Sequence, residues 1–171
     1  MGTDLHDMLE AREKRYQRQR RLLRRYPGAL VCFTLNVPGT EKRSPELEAA
    51  HEEGFRALCG RFPSCRVLYS AIEHANTGDE AYLCLDCESI QVKQTTVFLE
   101  RNHSCGRLFD IDVFDSGGGS MTRSALGLPP RTCFLCEQEA KVCIRNRTHT
   151  VEELRAAVSA ILNRSRIGLP G

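Results

Sequence analysis

The stretch Gly106-Arg107-Leu108-Phe109-Asp110-Ile111-Asp112-Val113 constrains the fold of this chain more than any other. Carboxylate and bulky aliphatic side chains alternate with the period of a β-strand, where residues i and i+2 share a face. Asp110 and Asp112 therefore project together, while Ile111 and Val113 enter a core. Bulky apolar neighbours predict a central strand rather than an edge. Two carboxylates side by side repel unless a proton or cation lies between them. Mg²⁺ takes hard oxygen ligands of this kind when it holds substrate phosphates. Asp110 and Asp112 are thus candidate magnesium ligands and catalytic residues. Arg107 is suited to grip a phosphate bidentately, and Gly106 to let the backbone approach one. The pattern points to metal-assisted phosphoryl or nucleotidyl chemistry. Two solvated carboxylates on an edge strand are the plain alternative.

A second constellation follows. Cys133, Cys136, Cys143 and His149 have the spacing C-x2-C-x6-C-x5-H. A C-x-x-C turn presents two thiolates to one ion, and a third Cys with a His completes a tetrahedron, so structural zinc is expected. Four protein ligands leave no open position, which argues against a Lewis-acid role for that ion. Three buried thiols and a surface histidine are the alternative. Cys84 and Cys87 read as core thiols, because i and i+3 face opposite sides of a strand. Cys32, Cys59, Cys65 and Cys105 are isolated and read as buried packing residues. Nine cysteines, an odd number, argue against a fully paired disulfide framework.

The remaining chain predicts one α+β domain over 1–171, a mixed β-sheet with flanking helices and a compact Cys/His segment at 131–149. A basic helix is expected over 4–26, stopped by Pro27-Gly28. Strands follow at 29–37, 66–72, 80–85 and 107–114. Ser44-Pro45-Glu46 starts a helix running to about Cys59. Residues 88–102 are read as a helix although Thr95-Thr96-Val97-Phe98 favours strand. Thr150-Val151-Glu152-Glu153 caps a last helix over 150–163, burying Leu154, Val158, Ile161 and Leu162.

A net charge of +2 excludes a polycation, but the basic residues cluster. The run from Arg12 to Arg25 reads either as a solvated helix face or as a trap for a polyanion. It has few aromatics, so stacking on nucleic-acid bases is poorly supported. Arg145, Arg147 and His149 form a second basic group. No apolar run is long enough to span a bilayer and no signal peptide is seen, so a soluble, cytoplasmic protein with no membrane partner is expected.

These segments resemble the apo-citrate lyase phosphoribosyl-dephospho-CoA transferase family. The likeness lies in residues 106–113 and in Leu128-Pro129-Pro130-Arg131-Thr132-Cys133-Phe134-Leu135-Cys136-Glu137-Gln138. Ala140, Cys143, Arg145 and His149 continue it, and Arg12, Arg15, Phe33-Thr34, Pro38-Gly39 and Lys42 match as well. The resemblance implies an enzyme that takes 2′-(5″-triphosphoribosyl)-3′-dephospho-CoA. It transfers the phosphoribosyl-dephospho-CoA portion to a serine of the citrate lyase acyl carrier protein and releases pyrophosphate. Arg12, Arg15, Gly106, Arg131, Arg145 and Arg147 are the candidate substrate-binding residues beside Arg107. The Asp-x-Asp strand is also similar to the signature of polymerase-beta-like nucleotidyltransferases. Those enzymes add a third carboxylate on a later strand, for which Glu137 and Glu139 are candidates by position only. A different class of function stays open: a non-catalytic, zinc-stabilised module that binds nucleic acid or an acidic protein through residues 12–25.

Overall fold

The computed structural model describes residues 5–167, so position 4 of the expected first helix lies outside it. The elements are α1 (Leu5–Arg25), β1 (Ala29–Leu35), α2 (Pro45–Cys59), β2 (Arg66–Glu73), β3 (Glu80–Asp86), α3 (Ser89–Asn102), β4 (Phe109–Phe114), α4 (Ala140–Asn146) and α5 (Val151–Ile167). Local chemistry sets the boundaries. Ser44 Oγ accepts from Leu47 N at 3.3 Å at the head of α2, with Pro45 in the first turn. Thr150 and Glu153 form a reciprocal capping box: Glu153 N donates to Thr150 Oγ1 at 3.1 Å, and Thr150 N to Glu153 Oε2 at 2.8 Å. The helix expected over 88–102 is observed as α3, so β-branched residues at 95–97 yield to packing.

The strand order is β2-β3-β1-β4. Each of the three pairings is antiparallel, so the sheet is not mixed as expected. The reason is topological. β1-α2-β2 and β3-α3-β4 are both crossover units, and each leaves a gap that a strand of the other fills, giving the split βαβ arrangement. Parallel strands are therefore never neighbours.

α2 and α3 pack on one face of the sheet. Ala29, Val31 and Phe33 of β1, Leu83 of β3, and Phe109, Ile111 and Val113 of β4 meet Phe55, Leu58, Val92 and Leu99 there. α1 covers part of the other face, where Leu22 meets Leu30, Cys32, Tyr82 and Cys84. α5 packs through Val158 and Ile161 against Leu47 and Leu108. Charge fastens the N-terminal half of α1: Leu9 and Tyr16 are exposed, while Arg15 pairs with Glu80 and Arg18 with Glu73. Among the described residues, no helix is long and apolar enough to cross a membrane.

Three further expectations are corrected. β4 is an edge strand, not a central one; its apolar residues report a buried face, which says nothing about lateral position. It begins at Phe109, because Gly106–Leu108 form a 3₁₀ turn that carries Arg107. Cys65 and Cys87 are joined by a disulfide, with Cα atoms 5.8 Å apart, so neither is a free packing thiol. The partners lie 22 residues apart in the chain, a separation no local motif flags.

Gly54 tests the seating of α2. A Cβ there would lie 2.6 Å from Phe109 Cε1 and 2.7 Å from Phe33 Cζ. Gly54→Ala should destabilise by roughly 1–3 kcal/mol despite the better helix propensity of alanine. The melting temperature should fall by about 2–4 °C for each kcal/mol. A melting temperature equal to or above wild type would contradict this packing.

Candidate active site

Asp110 and Asp112 lie on the α1 side of the sheet. β4 pairs with β1 in the register Thr34↔Asp110 and Cys32↔Asp112, and Cys32 also faces Tyr82 of β3. α1 covers β1 and β3 here but leaves β4 open, so both carboxylates reach solvent. Neither accepts a hydrogen bond or forms an ion pair among the described residues. Surrounding protein removes part of the hydration of Asp112, and the charge of Asp110 beside it opposes a second ionisation. Both raise its pKa above the ordinary carboxylate range, against the opposing pull of Lys93, Arg15 and Arg131. The arrangement suits a divalent cation: two adjacent oxygen ligands, an open approach and no protein counter-charge bound to either.

The free edge of β4 is closed by cations. Lys93 Nζ donates to Ile111 O at 2.9 Å, and Arg131 Nη1 to Phe109 O at 2.6 Å. These bonds satisfy carbonyls that an edge strand would otherwise leave for another chain to pair with. Buried Glu100 binds both Arg131 and Arg123, the latter at 2.7 Å. Burial lowers the pKa of Lys93.

One cavity reaches Asp110, and a larger cleft adjoins the Cys/His segment. The smaller, about 160 Å³, is lined by Arg15, Thr34, Asn36, Lys42 and Asp110 among others. Lys42 Nζ donates to Val37 O at 2.5 Å, and burial lowers its pKa. The larger cleft, about 870 Å³, lies between the end of α3 with its following 3₁₀ turn and the Cys/His segment, and five arginines line it: Arg101, Arg107, Arg123, Arg131 and Arg147. Asn36 borders both spaces. So dense a cationic lining beside apolar Phe134, Ile144 and Leu154 fits a polyphosphate with an organic tail.

The Cys/His segment folds around its thiols. Cys133 N donates to Gln138 O at 2.8 Å and Ala140 N to Arg131 O at 2.9 Å, closing the turn that carries Cys133 and Cys136. α4 supplies Cys143. Arg147 then reverses the chain in the left-handed region at φ 49°, bringing His149 back. The ligand atoms of Cys133, Cys136, Cys143 and His149 all lie within 4.8 Å of one another. Cys136 Sγ is 3.5 Å from Cys143 Sγ and 3.3 Å from His149 Nε2. This cluster can hold one tetrahedral metal ion.

Arg15 and Arg131 border the carboxylates, and Arg147 lines the large cleft. Arg107 lines it too, but its guanidinium also ties down the Cys/His segment, donating to Thr132 Oγ1 at 3.2 Å and Cys133 O at 2.7 Å. At Gly106 a Cβ would meet Glu100 O at 2.4 Å, so contact with α3 already accounts for the missing side chain. Arg12 and Arg145 are exposed and line neither cavity. Glu139 heads α4 and Glu137 lies exposed in the cysteine turn, so neither shares the face of β4. Sequence reasoning missed Glu80, Lys93, Glu100 and Arg123. The period-2 relation of Glu80 to Tyr82 was the available signal for the first; the α3 residues carried none.

Comparison with known proteins places this geometry. The sequence profile described as apo-citrate lyase phosphoribosyl-dephospho-CoA transferase matches residues 3–165. The chain is similar to a probable apo-citrate lyase phosphoribosyl-dephospho-CoA transferase of Streptococcus pyogenes, 40% identical over 166 residues, covering 95% of this chain and 86% of that protein. It is also similar to the apo-citrate lyase phosphoribosyl-dephospho-CoA transferase of Escherichia coli, 36% identical over 165 residues, covering 95% and 90%. A non-catalytic binding module is not favoured by these matches.

The raised pKa of Asp112 has a measurable consequence. A carboxylate raised in the folded state gives its full stability below the unfolded pKa and loses it as pH rises through the folded pKa. Asp112→Asn should therefore raise the melting temperature at pH 7–8 in the absence of added Mg²⁺. That gain should shrink toward zero as pH falls below about 4. A lowered melting temperature at pH 7–8 would contradict the crowding of charge at this face.

Proposed function

The chain belongs to the apo-citrate lyase phosphoribosyl-dephospho-CoA transferase family, and we propose that the open face of β4 is where it performs that transfer. The donor is 2′-(5″-triphosphoribosyl)-3′-dephospho-CoA and the acceptor is a serine of the citrate lyase acyl carrier protein. The observation that carries this reading is the pair of adjacent carboxylates that form no ion pair among the described residues, with Asp110 on the rim of a cavity that Arg15 and Lys42 also line. A carboxylate pair left without a counter-charge is costly unless a cation completes it.

The serine oxygen attacks the α-phosphorus and forms the new phosphodiester bond. The bond from that phosphorus to the pyrophosphate oxygen breaks, and the hydroxyl proton is released. Negative charge grows on the departing pyrophosphate. Asp110 and Asp112 would hold Mg²⁺, which supplies charge neutralisation and in-line alignment. Arg15, on the rim of the small cavity, meets the leaving phosphates. Arg107, Arg131 and Arg147, with the backbone at Gly106, border the space for the rest of the donor. Arg101 and Arg147 make no side-chain hydrogen bond or ion pair among the described residues, which leaves their guanidinium groups free for phosphate. The cysteine cluster would hold zinc as a structural clamp. Arg107, in the turn before β4, reaches into that segment, and Arg131 reaches from it to Phe109 of β4, so the clamp would keep the cleft wall in place.

Asp110→Asn or Asp112→Asn should lower kcat by roughly 100-fold or more, about 2.7 kcal/mol of transition-state stabilisation, while the protein stays folded. Near-normal turnover in both variants would remove the proposed role of the pair.

Protein purified without chelators should carry about one zinc per chain. Chelation should lower its melting temperature, because metal-binding free energy is folding free energy at such a site. Zinc-free protein with an unchanged melting temperature would show that the thiols are simply packed.

A further inference from the structure

Glu80 is the acidic residue that shares the face and level of Asp110. β3 and β4 both run antiparallel to β1; Tyr82 and Asp112 face the same Cys32, and Glu80 and Asp110 each lie two residues further along in the same direction. On placement alone Glu80 is a natural third metal ligand. Its oxygens, however, are already committed. Oε1 accepts from Arg15 Nε at 2.8 Å and from Arg15 Nη2 at 2.6 Å. Oε2 accepts from the Tyr82 hydroxyl. Glu80 is only 8% exposed and Tyr82 only 1%, so these bonds are sheltered from water. The Arg18 guanidinium lies 5.3 Å over the Tyr82 ring and pairs with Glu73, closing the far side. Arg15 Nη1 enters no hydrogen bond among the described residues, and Arg15 lines the small cavity together with Asp110.

We propose that Glu80, braced by Tyr82, is a positioning residue that locks Arg15 beside the Asp110/Asp112 pair, with its free N–H groups directed to the donor phosphates. The inference rests on the reading of this face as the triphosphate site. A guanidinium held in place before binding loses less rotamer freedom when a phosphate arrives. A carboxylate that already accepts two bonds from one arginine and one from a tyrosine has little capacity left for Mg²⁺.

A double-mutant cycle tests this, with donor and carrier titrated separately, Mg²⁺ varied and melting temperatures recorded. Arg15→Ala should raise the donor KM roughly 10- to 100-fold, the scale of a charge-assisted hydrogen bond. Glu80→Gln should raise the donor KM about tenfold, with carrier KM and Mg²⁺ dependence unchanged. The double variant should be no worse than Arg15→Ala for the donor. It should melt above Arg15→Ala, because no buried carboxylate is then left without its cation. Tyr82→Phe, a milder change, should raise the donor KM less and also leave the Mg²⁺ dependence alone, and it serves if Glu80→Gln does not fold. Additive losses, an unchanged donor KM in Glu80→Gln or Tyr82→Phe, or a raised Mg²⁺ requirement in either would overturn the inference while wild-type transfer stands. Absence of transfer by the wild type would instead overturn the reading beneath it, and the inference with it.

Discussion

The site depends on one constraint: β4 is covered on one face and paired along one edge. Its inner face packs Phe109, Ile111 and Val113 against α2 and α3, and its single ladder to β1 fixes the register. The outer face and the free edge then remain for other uses. The outer face carries two carboxylates that form no ion pair among the described residues. The edge carbonyls are bound by Lys93 and Arg131, which also bring positive charge to the rim. Had β4 been central and covered on both sides, Asp110 and Asp112 would have needed buried partners.

Charge is divided among the neighbouring elements in a consistent way. Arginines that might be counted as free are in part structural: Arg15 and Arg18 fasten α1, Arg107 holds the cysteine turn, and Arg123 and Arg131 balance Glu100. This changes the meaning of the basic stretch at residues 12–25, because part of it faces the sheet and completes the site from the opposite side. Burial pushes the Cys32 thiol up to about 12 and raises the Tyr82 hydroxyl further. The floor between the carboxylates and Arg15 is therefore neutral at physiological pH, and the ionised groups of that row are confined to its ends.

The features legible in the sequence were those written in local periodicity and spacing. The alternation at 109–113 betrayed a strand with one buried face. Ser44-Pro45 and Thr150 to Glu153 announced helix starts, and the interval from Cys133 to His149 announced a turn that gathers four candidate metal ligands. Lateral strand order left no local trace, so β4 was read as central and the sheet as mixed. The Cys65–Cys87 disulfide joins the end of one loop to the end of β3, and only the antiparallel pairing of β2 with β3 brings the two together. Glu80 and Lys93 were hidden for the same reason: their roles come from tertiary neighbours, and a charged residue in a strand or helix is usually read as solvated.

The central claim is that the Asp110/Asp112 face performs a metal-dependent transfer. The most direct test mixes donor, apo carrier protein and enzyme, and follows pyrophosphate release and carrier mass together as Mg²⁺ is varied. The account predicts one pyrophosphate per carrier modified, a mass gain equal to the phosphoribosyl-dephospho-CoA group, and a rate that falls to background without Mg²⁺ while zinc stays bound. Full transfer without any divalent cation besides that zinc would contradict it.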